Sequence, residues 1–332
     1  MAKAKVKYVC QNCGYTTVSW LGKCPECGTW DSLVEETAMP ASQGTTKSFL
    51  KFMENGIPKT LANISQTQVE RIVTGIGEFD RVLGGGIVPG SLVLLGGDPG
   101  IGKSTILLDV VMRLSERQLK CLYVSGEESE EQTALRAQRL GKCSDRLLLL
   151  TATNLDHILD QAEKVNPSLL VVDSIQTMFT EAVETAAGSV GQVRECTARL
   201  LRFAKTTGIA VLIVGHMTKE GNIAGPRLLE HMVDVVLQFE GDRSYAFRVL
   251  RALKNRFGST NESGIFSMEE GGLKEIANPE GLFLEEREQA VTGAVVCGCL
   301  EGNRPILTEF QALVSRTPFG LPRRTAVGFD FN

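Results

Sequence analysis

One glycine-rich segment of the sequence has the residue types and spacing that can surround a phosphate group. It follows an apolar run, 92–95, and consists of Gly97, Asp98, Pro99, Gly100, Ile101, Gly102, Lys103, Ser104 and Thr105. In a loop of this pattern the backbone N–H groups turn toward the β-phosphate, and the following helix directs its positive end at the same anion. The pattern therefore predicts a strand, a phosphate-binding loop and a helix that begins at Lys103. A glycine turn without a ligand is the alternative.

Three side chains of this region have predicted roles in binding a nucleoside triphosphate. The Lys103 ammonium reaches the β- and γ-phosphate oxygens, and the Ser104 hydroxyl holds Mg²⁺. Thr105 helps to start the helix or contacts the α-phosphate. A second Mg²⁺ partner is Asp173, because it ends the apolar run 169–173 and a strand-terminal carboxylate in such folds orients the metal beside the loop.

Two adjacent acids, Glu127 and Glu128, follow another apolar run, 121–125. At the carboxyl end of a strand they would face the same crevice as the phosphate loop. A carboxylate there can polarise the attacking water, and Glu127 is favoured because it comes first after the strand. The alternative is that both acids occupy the first turn of the next helix and are stabilised by its dipole.

Near the N-terminus four cysteines occur as two Cys-x-x-Cys pairs, each followed by a glycine. They are Cys10, Cys13, Cys24 and Cys27. Four thiolates in this spacing can bind one tetrahedral Zn²⁺, and a site closed by four protein ligands is structural. Two redox dithiols are the alternative, which does not explain why the same turn chemistry repeats.

The segments between these motifs alternate in a way that predicts how they are positioned. Apolar runs at 121–125, 147–150, 169–173 and 209–215 predict buried strands, and amphipathic stretches at 129–140, 155–165 and 190–206 predict helices. This alternation is typical of an α/β fold with a parallel sheet covered on both faces. The runs 233–240, 245–253 and 264–269 are interpreted as antiparallel strands that extend the sheet.

Length and composition limit the class of protein. The 332 residues suggest more than one domain, and 43% hydrophobic residues suffice for a core. A net charge of −4 argues against a globally basic nucleic-acid coat, so any contact with nucleic acid must use a local surface. Because no long apolar segment occurs, the sequence predicts no membrane partner and a cytoplasmic location.

The order of these motifs resembles the RadA/Sms family of bacterial DNA recombination and repair ATPases, in the RecA/DnaB-like motor group. The resemblance rests on the cysteine ribbon, the loop 97–105, the two strand ends with acids, and the pentapeptide 254–258, which reads Lys-Asn-Arg-Phe-Gly. It covers almost the whole chain. It implies a RecA-like P-loop NTPase core with an N-terminal zinc ribbon, and ATP, Mg²⁺ and Zn²⁺ as cofactors.

The resemblance also implies a homohexameric ring that binds single-stranded and branched DNA and promotes branch migration in homologous recombination and double-strand break repair. In such motors Lys254 and Arg256 reach the γ-phosphate of a neighbouring subunit and stabilise developing charge. By analogy the loops 181–191 and 219–227 face the channel of the ring. The RecA recombinase is an implied partner.

Family members continue into a domain resembling the peptidase part of Lon, and residues 291–330 resemble only its first strands. The expected domains are a zinc ribbon at 1–33, a linker at 34–70, the ATPase core at 71–278 and a partial Lon-like domain at 279–332. No peptidase activity is expected. Two other functions remain open, a KaiC-like signalling ATPase or autokinase and a nucleotide-gated scaffold.

Overall fold

The computed structural model describes residues 5–10, 15–38, 60, 70–141, 143–215, 228–241, 247–278, 284, 292–316, 320 and 323–328. The chain divides into two compact units, Met1–Ala277 and Asn278–Asn332. Within the described ranges, every helix is too short or too polar to cross a membrane.

The N-terminal part of the first unit contains a small antiparallel sheet. Its strands are β1 (Lys5–Cys10), β2 (Thr16–Thr17) and β3 (Leu33–Ala38), in the order β2-β1-β3. Strand β3 pairs with β1 along its whole length, from Lys5 opposite Ala38 to Cys10 opposite Leu33. The ribbon sheet therefore continues into the range predicted as a linker. The remainder of that range, apart from residues 60 and 70, lies outside the described residues.

The larger part of the first unit is built on a nine-stranded sheet with the order β12-β11-β10-β9-β4-β8-β7-β5-β6. The strands are β4 (Leu92–Gly97), β5 (Cys121–Ser125), β6 (Leu147–Thr151), β7 (Leu169–Asp173), β8 (Ala210–Val214), β9 (Val235–Glu240), β10 (Phe247–Asn255), β11 (Ser263–Glu269) and β12 (Gly272–Glu275). Strands β4 to β9 are parallel to one another. The predicted α/β class is confirmed.

Helices connect the strands. They are α1 (Gly77–Leu83), α2 (Lys103–Glu116), α3 (Glu130–Leu140), α4 (Leu155–Val165), α5 (Val190–Thr207) and α6 (Leu228–Met232), with a 3₁₀ helix at Ile175–Thr177. Alternate residues of β4 belong to two separate apolar clusters: Leu92 and Leu94 to one, Val93 and Leu95 to the other. The sheet is therefore covered on both faces, which explains why its central strands are apolar runs without alternation.

The interpretation of 233–240 as an antiparallel strand is wrong. Strand β9 runs parallel to β4, with Val235 opposite Val93 and Phe239 opposite Gly97. The segment from β8 to β9 includes α6 and is long enough for a crossover, which brings the chain back to enter the sheet in the same direction. Strands β10, β11 and β12 are antiparallel to their neighbours, as expected for the first two. The short strand β12 had not been predicted.

The second unit contains an antiparallel hairpin of β13 (Ala294–Glu301) and β14 (Arg304–Gln311). Arg304 and Ile306 are its buried residues within the described part of this unit.

Candidate nucleotide site and metal centre

The glycine-rich segment forms a tight loop between β4 and α2. Strand β4 ends at Gly97, and α2 begins at Lys103 as predicted. Gly97 and Gly102 have φ angles of 151° and 115°. A Cβ atom on Gly97 would lie 2.7 Å from the Phe239 carbonyl oxygen, and one on Gly102 would lie 2.8 Å from Leu273 Cδ1. The backbone of the loop is thus held by close packing that a side chain would prevent, and its outer surface stays open to a ligand.

Lys103 is buried, and its ammonium lies over the loop. The Nζ atom donates to the carbonyl oxygens of Gly97 at 2.7 Å and Asp98 at 2.9 Å. Burial lowers the pKa of Lys103, and the nearby carboxylates of Asp173, Asp98 and Glu127 oppose that change. These donors and charges fit a polyphosphate, because the cation is already at the loop and a ligand oxygen can take the place of a carbonyl.

The other residues of the loop and of the first turn of α2 differ in their exposure. Ser104 and Thr105 occupy the first turn of α2 and are half-buried, and Ile101 is buried beneath the loop. The exposed residues of the loop are Asp98, Pro99 and Gly100.

Asp173 and Glu127 lie at the same edge of the sheet as the loop. Asp173 is the last residue of β7 and stands opposite Ser125, the last residue of β5. The Gly126 N–H donates to the Asp173 carbonyl oxygen at 2.7 Å, which joins the two strand ends. Glu127 follows directly. Because β4, β8, β7 and β5 are parallel neighbours, their carboxyl ends bring Lys103, Asp173 and Glu127 to the same side of the sheet.

Two hydroxyl groups at this site were not recognised from the sequence. Tyr123 donates to Asp173 Oδ2 at 2.6 Å, and Ser174 donates to Glu127 Oε1. Both Tyr123 and Ser174 are buried. A tyrosine within a predicted buried strand was the available signal, because a buried hydroxyl needs a partner.

Glu128 has a different environment from Glu127. It pairs with Arg136 of α3. Helix α3 begins at Glu130 with Ser129 as its N-cap, closed by a capping box with Gln132. Glu127 and Glu128 therefore precede the helix, and the alternative that both lie in its first turn is wrong.

The pentapeptide 254–258 lies at the opposite end of the parallel strands from the phosphate loop. Asn255, at the end of β10, pairs with Val235 at the start of β9, whereas the loop residue Gly97 pairs with Phe239. The distance along β9 between these positions is about 13 Å. Within one chain the structure does not bring Lys254 and Arg256 to the phosphate loop.

At that edge Lys254 is bound by the chain's own backbone. Its Nζ atom donates to the carbonyl oxygens of Glu230 at 2.7 Å, His231 at 3.2 Å and Val233 at 2.8 Å. Burial and, less strongly, the neighbouring Arg256 guanidinium lower the pKa of Lys254.

Arg256 shares a buried carboxylate with a second cation. Its Nη1 atom lies 3.3 Å from Asp234 Oδ1, and Lys205 Nζ lies 2.7 Å from Oδ2. The Leu92 N–H also donates to Asp234, at 3.0 Å. The Asp234 side chain is 2% exposed and that of Arg256 is 55% exposed.

Three of the four ribbon cysteines converge. The sulfur atoms of Cys10, Cys24 and Cys27 all lie within 4.8 Å of one another, and Cys10 Sγ is 3.6 Å from Cys27 Sγ. Tetrahedral zinc with bonds of 2.3 Å places its sulfur ligands about 3.8 Å apart. The three thiols therefore fit a zinc centre. The fourth predicted ligand, Cys13, lies outside the described residues, as does the predicted channel loop 219–227.

Comparison with known proteins agrees with these two sites. Residues 58–222 match a family described as "AAA domain", and residues 8–35 match one described as "Rubredoxin metal binding domain". The protein called "DNA repair protein RadA" of Bacillus subtilis is 54% identical over 333 residues, and that of Halalkalibacterium halodurans is 53% identical over 336. The corresponding protein of Listeria monocytogenes is 54% identical over 337 residues. Each alignment covers the whole chain and 73% of the relative. The chain belongs to the RadA family of DNA repair proteins.

Proposed function

We propose that this chain is a DNA-dependent ATPase that acts on recombination intermediates. It binds single-stranded and branched DNA and promotes branch migration in homologous recombination and double-strand break repair. The observation that carries the proposal is the convergence of Lys103, Asp173 and Glu127 at one sheet edge. Relatives named for DNA repair support the biological setting.

The residues of the site divide the chemistry among them. The backbone N–H groups of the loop 97–102, except at Pro99, and the Lys103 ammonium bind the phosphates, and Ser104 and Asp173 would hold Mg²⁺. Bound Mg²⁺ supplies charge neutralisation at the phosphoryl group. Glu127 accepts the proton of the attacking water. Glu128 orients the loop through Arg136 and can substitute as the base only if that ion pair opens.

The site is completed by a neighbouring subunit in a homohexameric ring. Lys254 and Arg256 supply positive charge in trans to the γ-phosphate. Their position at the opposite end of the strands supports this role, because within one chain they are remote from the loop by about 13 Å along β9. The exposure of the Arg256 side chain leaves it accessible to another copy.

The other regions have supporting roles. The loops 181–191 and 219–227, with Arg194, Lys219 and Arg227, contact DNA phosphates in the channel without sequence preference. The ribbon is a structural zinc domain, with Cys13 as its fourth ligand. The RecA recombinase is proposed as a protein partner. The unit Asn278–Asn332 corresponds to the start of a Lon-like domain without peptidase activity.

The decisive experiment measures ATP hydrolysis with and without single-stranded and branched DNA, with the oligomeric mass determined in the same buffer. We expect DNA to raise the rate, an effect that added salt weakens, in a hexameric species. A rate that neither DNA nor salt changes would remove the motor function. Stable phosphoserine or phosphothreonine would instead support an autokinase, and nucleotide binding without turnover would support a scaffold.

A separate experiment tests the ribbon. The chain has two tryptophans, Trp20 and Trp30, both exposed on the ribbon, and Lys23 Nζ lies 5.5 Å from the Trp30 ring centroid. Removal of zinc by a chelator should change the tryptophan emission, because so small a core depends on its metal. Nucleotide binding by the core should remain. Cys24→Ser should lose zinc and the matched control Cys143→Ser should retain it, and zinc retained by both would contradict the assignment.

A further inference from the structure

Two side-chain hydrogen bonds connect the ends of β5 and β7, and the roles assigned above to Asp173 and Glu127 do not account for them. The two strands are parallel neighbours, and each carries one of the two acids at its carboxyl end. Each strand also carries a buried hydroxyl group. Tyr123 belongs to β5 and Ser174 directly follows β7.

Each hydroxyl group donates a hydrogen bond to the acid that the other strand carries. Tyr123 of β5 donates to the Asp173 carboxylate of β7 at 2.6 Å. Ser174, after β7, donates to the Glu127 carboxylate after β5. Tyr123 is 2% exposed and Ser174 is 0% exposed, so water does not compete well for either bond.

The backbone around Ser174 is itself fixed. Thr177 Oγ1 donates to the Ser174 carbonyl oxygen at 2.9 Å, within the 3₁₀ helix region that follows β7. That region packs against Gly126, where an added Cβ atom would collide with Thr177 and Met178. Gly126 stands directly before Glu127, so the loop that carries this acid rests on the segment that carries Ser174.

We propose that Tyr123 and Ser174 are positioning residues that hold Asp173 and Glu127 in the orientation needed for ATP hydrolysis. This inference rests on the proposed function. A hydrogen bond to one carboxylate oxygen fixes the plane of the group and so the direction of its second oxygen. For Asp173 that direction decides how the carboxylate meets Mg²⁺. For Glu127, whose residue is exposed, it decides how the carboxylate meets the attacking water.

The two bonds have separable effects. Ser174→Ala should lower the single-turnover rate about ten- to a hundredfold and leave the affinity for a fluorescent ATP analogue within about twofold, because only the base is misplaced. Ser174→Thr, which keeps a hydroxyl group, should restore part of the rate. Tyr123→Phe should leave analogue binding in EDTA unchanged, and should reduce the gain in affinity that Mg²⁺ produces.

A double-variant cycle separates positioning from structural damage. If Ser174 acts through Glu127, Glu127→Gln combined with Ser174→Ala should be no slower than Glu127→Gln alone. Ser144→Ala is a matched control, since it removes an exposed serine–carboxylate bond, to Asp145 at 3.3 Å. This control should behave as the unmodified protein.

The outcomes that overturn the proposal are distinct from those that overturn the function. Fully additive losses in the double variant, or unmodified rates in Ser174→Ala together with an unmodified Mg²⁺ response in Tyr123→Phe, would refute the positioning role. Unmodified turnover in Glu127→Gln would instead refute the assignment of Glu127 as the base. Equal losses of rate and of analogue affinity in EDTA, in both Ser174→Ala and Tyr123→Phe, would indicate a purely structural role and also refute the proposal.

Discussion

The two ends of the parallel strands in the nine-stranded sheet carry charged groups that differ in how far they are already bound within the chain. At the carboxyl ends of the parallel strands, Lys103, Asp173 and Glu127 lie on the side of the sheet that carries the loop 97–102. At the other edge the cations are already bound within the chain, Lys254 to backbone carbonyl oxygens and Arg256 to Asp234. The first edge is arranged to receive a ligand. The second holds its cations against groups of the same chain, and the proposed function assigns them to the site of a different subunit.

This difference is the basis of the proposal that two subunits share one site. The two acids to which we assign metal binding and proton transfer lie beside the loop because neighbouring parallel strands end on the same side of the sheet. The antiparallel strand β10 ends at the opposite edge, and this direction is set by its pairing with β9. A site that needs both sets of groups must therefore combine two edges from two subunits.

The largest expected effect is at the carboxyl edge. Lys103→Ala should abolish ATP turnover, because it removes the cation that contacts the phosphates. Zinc content and tryptophan emission of the ribbon should not change. ATPase assays with metal analysis check this, and normal hydrolysis by the variant would refute the phosphate-loop assignment.

The next effect concerns the opposite edge. Arg256→Ala should spare ATP binding and lower turnover by about a thousandfold or more, as for other cations supplied in trans. Mixing it with Lys103→Ala subunits should restore part of the activity, because one interface then has an intact loop and an intact Arg256. The readout is turnover against mixing ratio. No restoration would count against a site shared between subunits.

A smaller difference in turnover is expected between variants of the two adjacent acids, Glu127 and Glu128. Glu127→Gln should abolish most turnover with ATP binding retained, since it removes the base. Glu128→Gln is the matched control and should have a mild effect, because Glu128 is already paired with Arg136. Single-turnover rates distinguish the two. If Glu128→Gln were the more damaging change, the assignment of the base would have to be exchanged.

The parts of the site that could be predicted are those formed by residues close together in the sequence. The loop 97–105 and the start of α2 follow from consecutive residues, and the strand ends at Ser125 and Asp173 follow from apolar runs. The bonds from Tyr123 and Ser174 join residues 50 and 47 positions apart. They depend on which strands are neighbours, which no local pattern contains. The direction of β9 was misjudged for a related reason, because its pairing with β4 depends on the crossover before it.

The roles of the individual residues stay predictions, although their positions agree with them. The residue types near the loop could be anticipated, because a phosphate requires donors and a metal requires carboxylates. The internal partners of Lys254 could not, since backbone carbonyl groups leave no mark in a sequence. Nor could the pairing of Arg256 with Asp234, which joins residues 22 positions apart.

Asp234 pairs with two cations, Lys205 and Arg256, and this affects the free-energy cost of separating Arg256 from it. If Arg256 were the single cation paired with Asp234, its departure would leave a buried carboxylate without a counter-charge, at a cost of several kcal/mol. Lys205 and the Leu92 amide remain bonded to the carboxylate after Arg256 has left. Under the proposed role in trans, the arginine could therefore leave Asp234 and return to it at a modest cost in free energy, as a reversible contact between subunits would require.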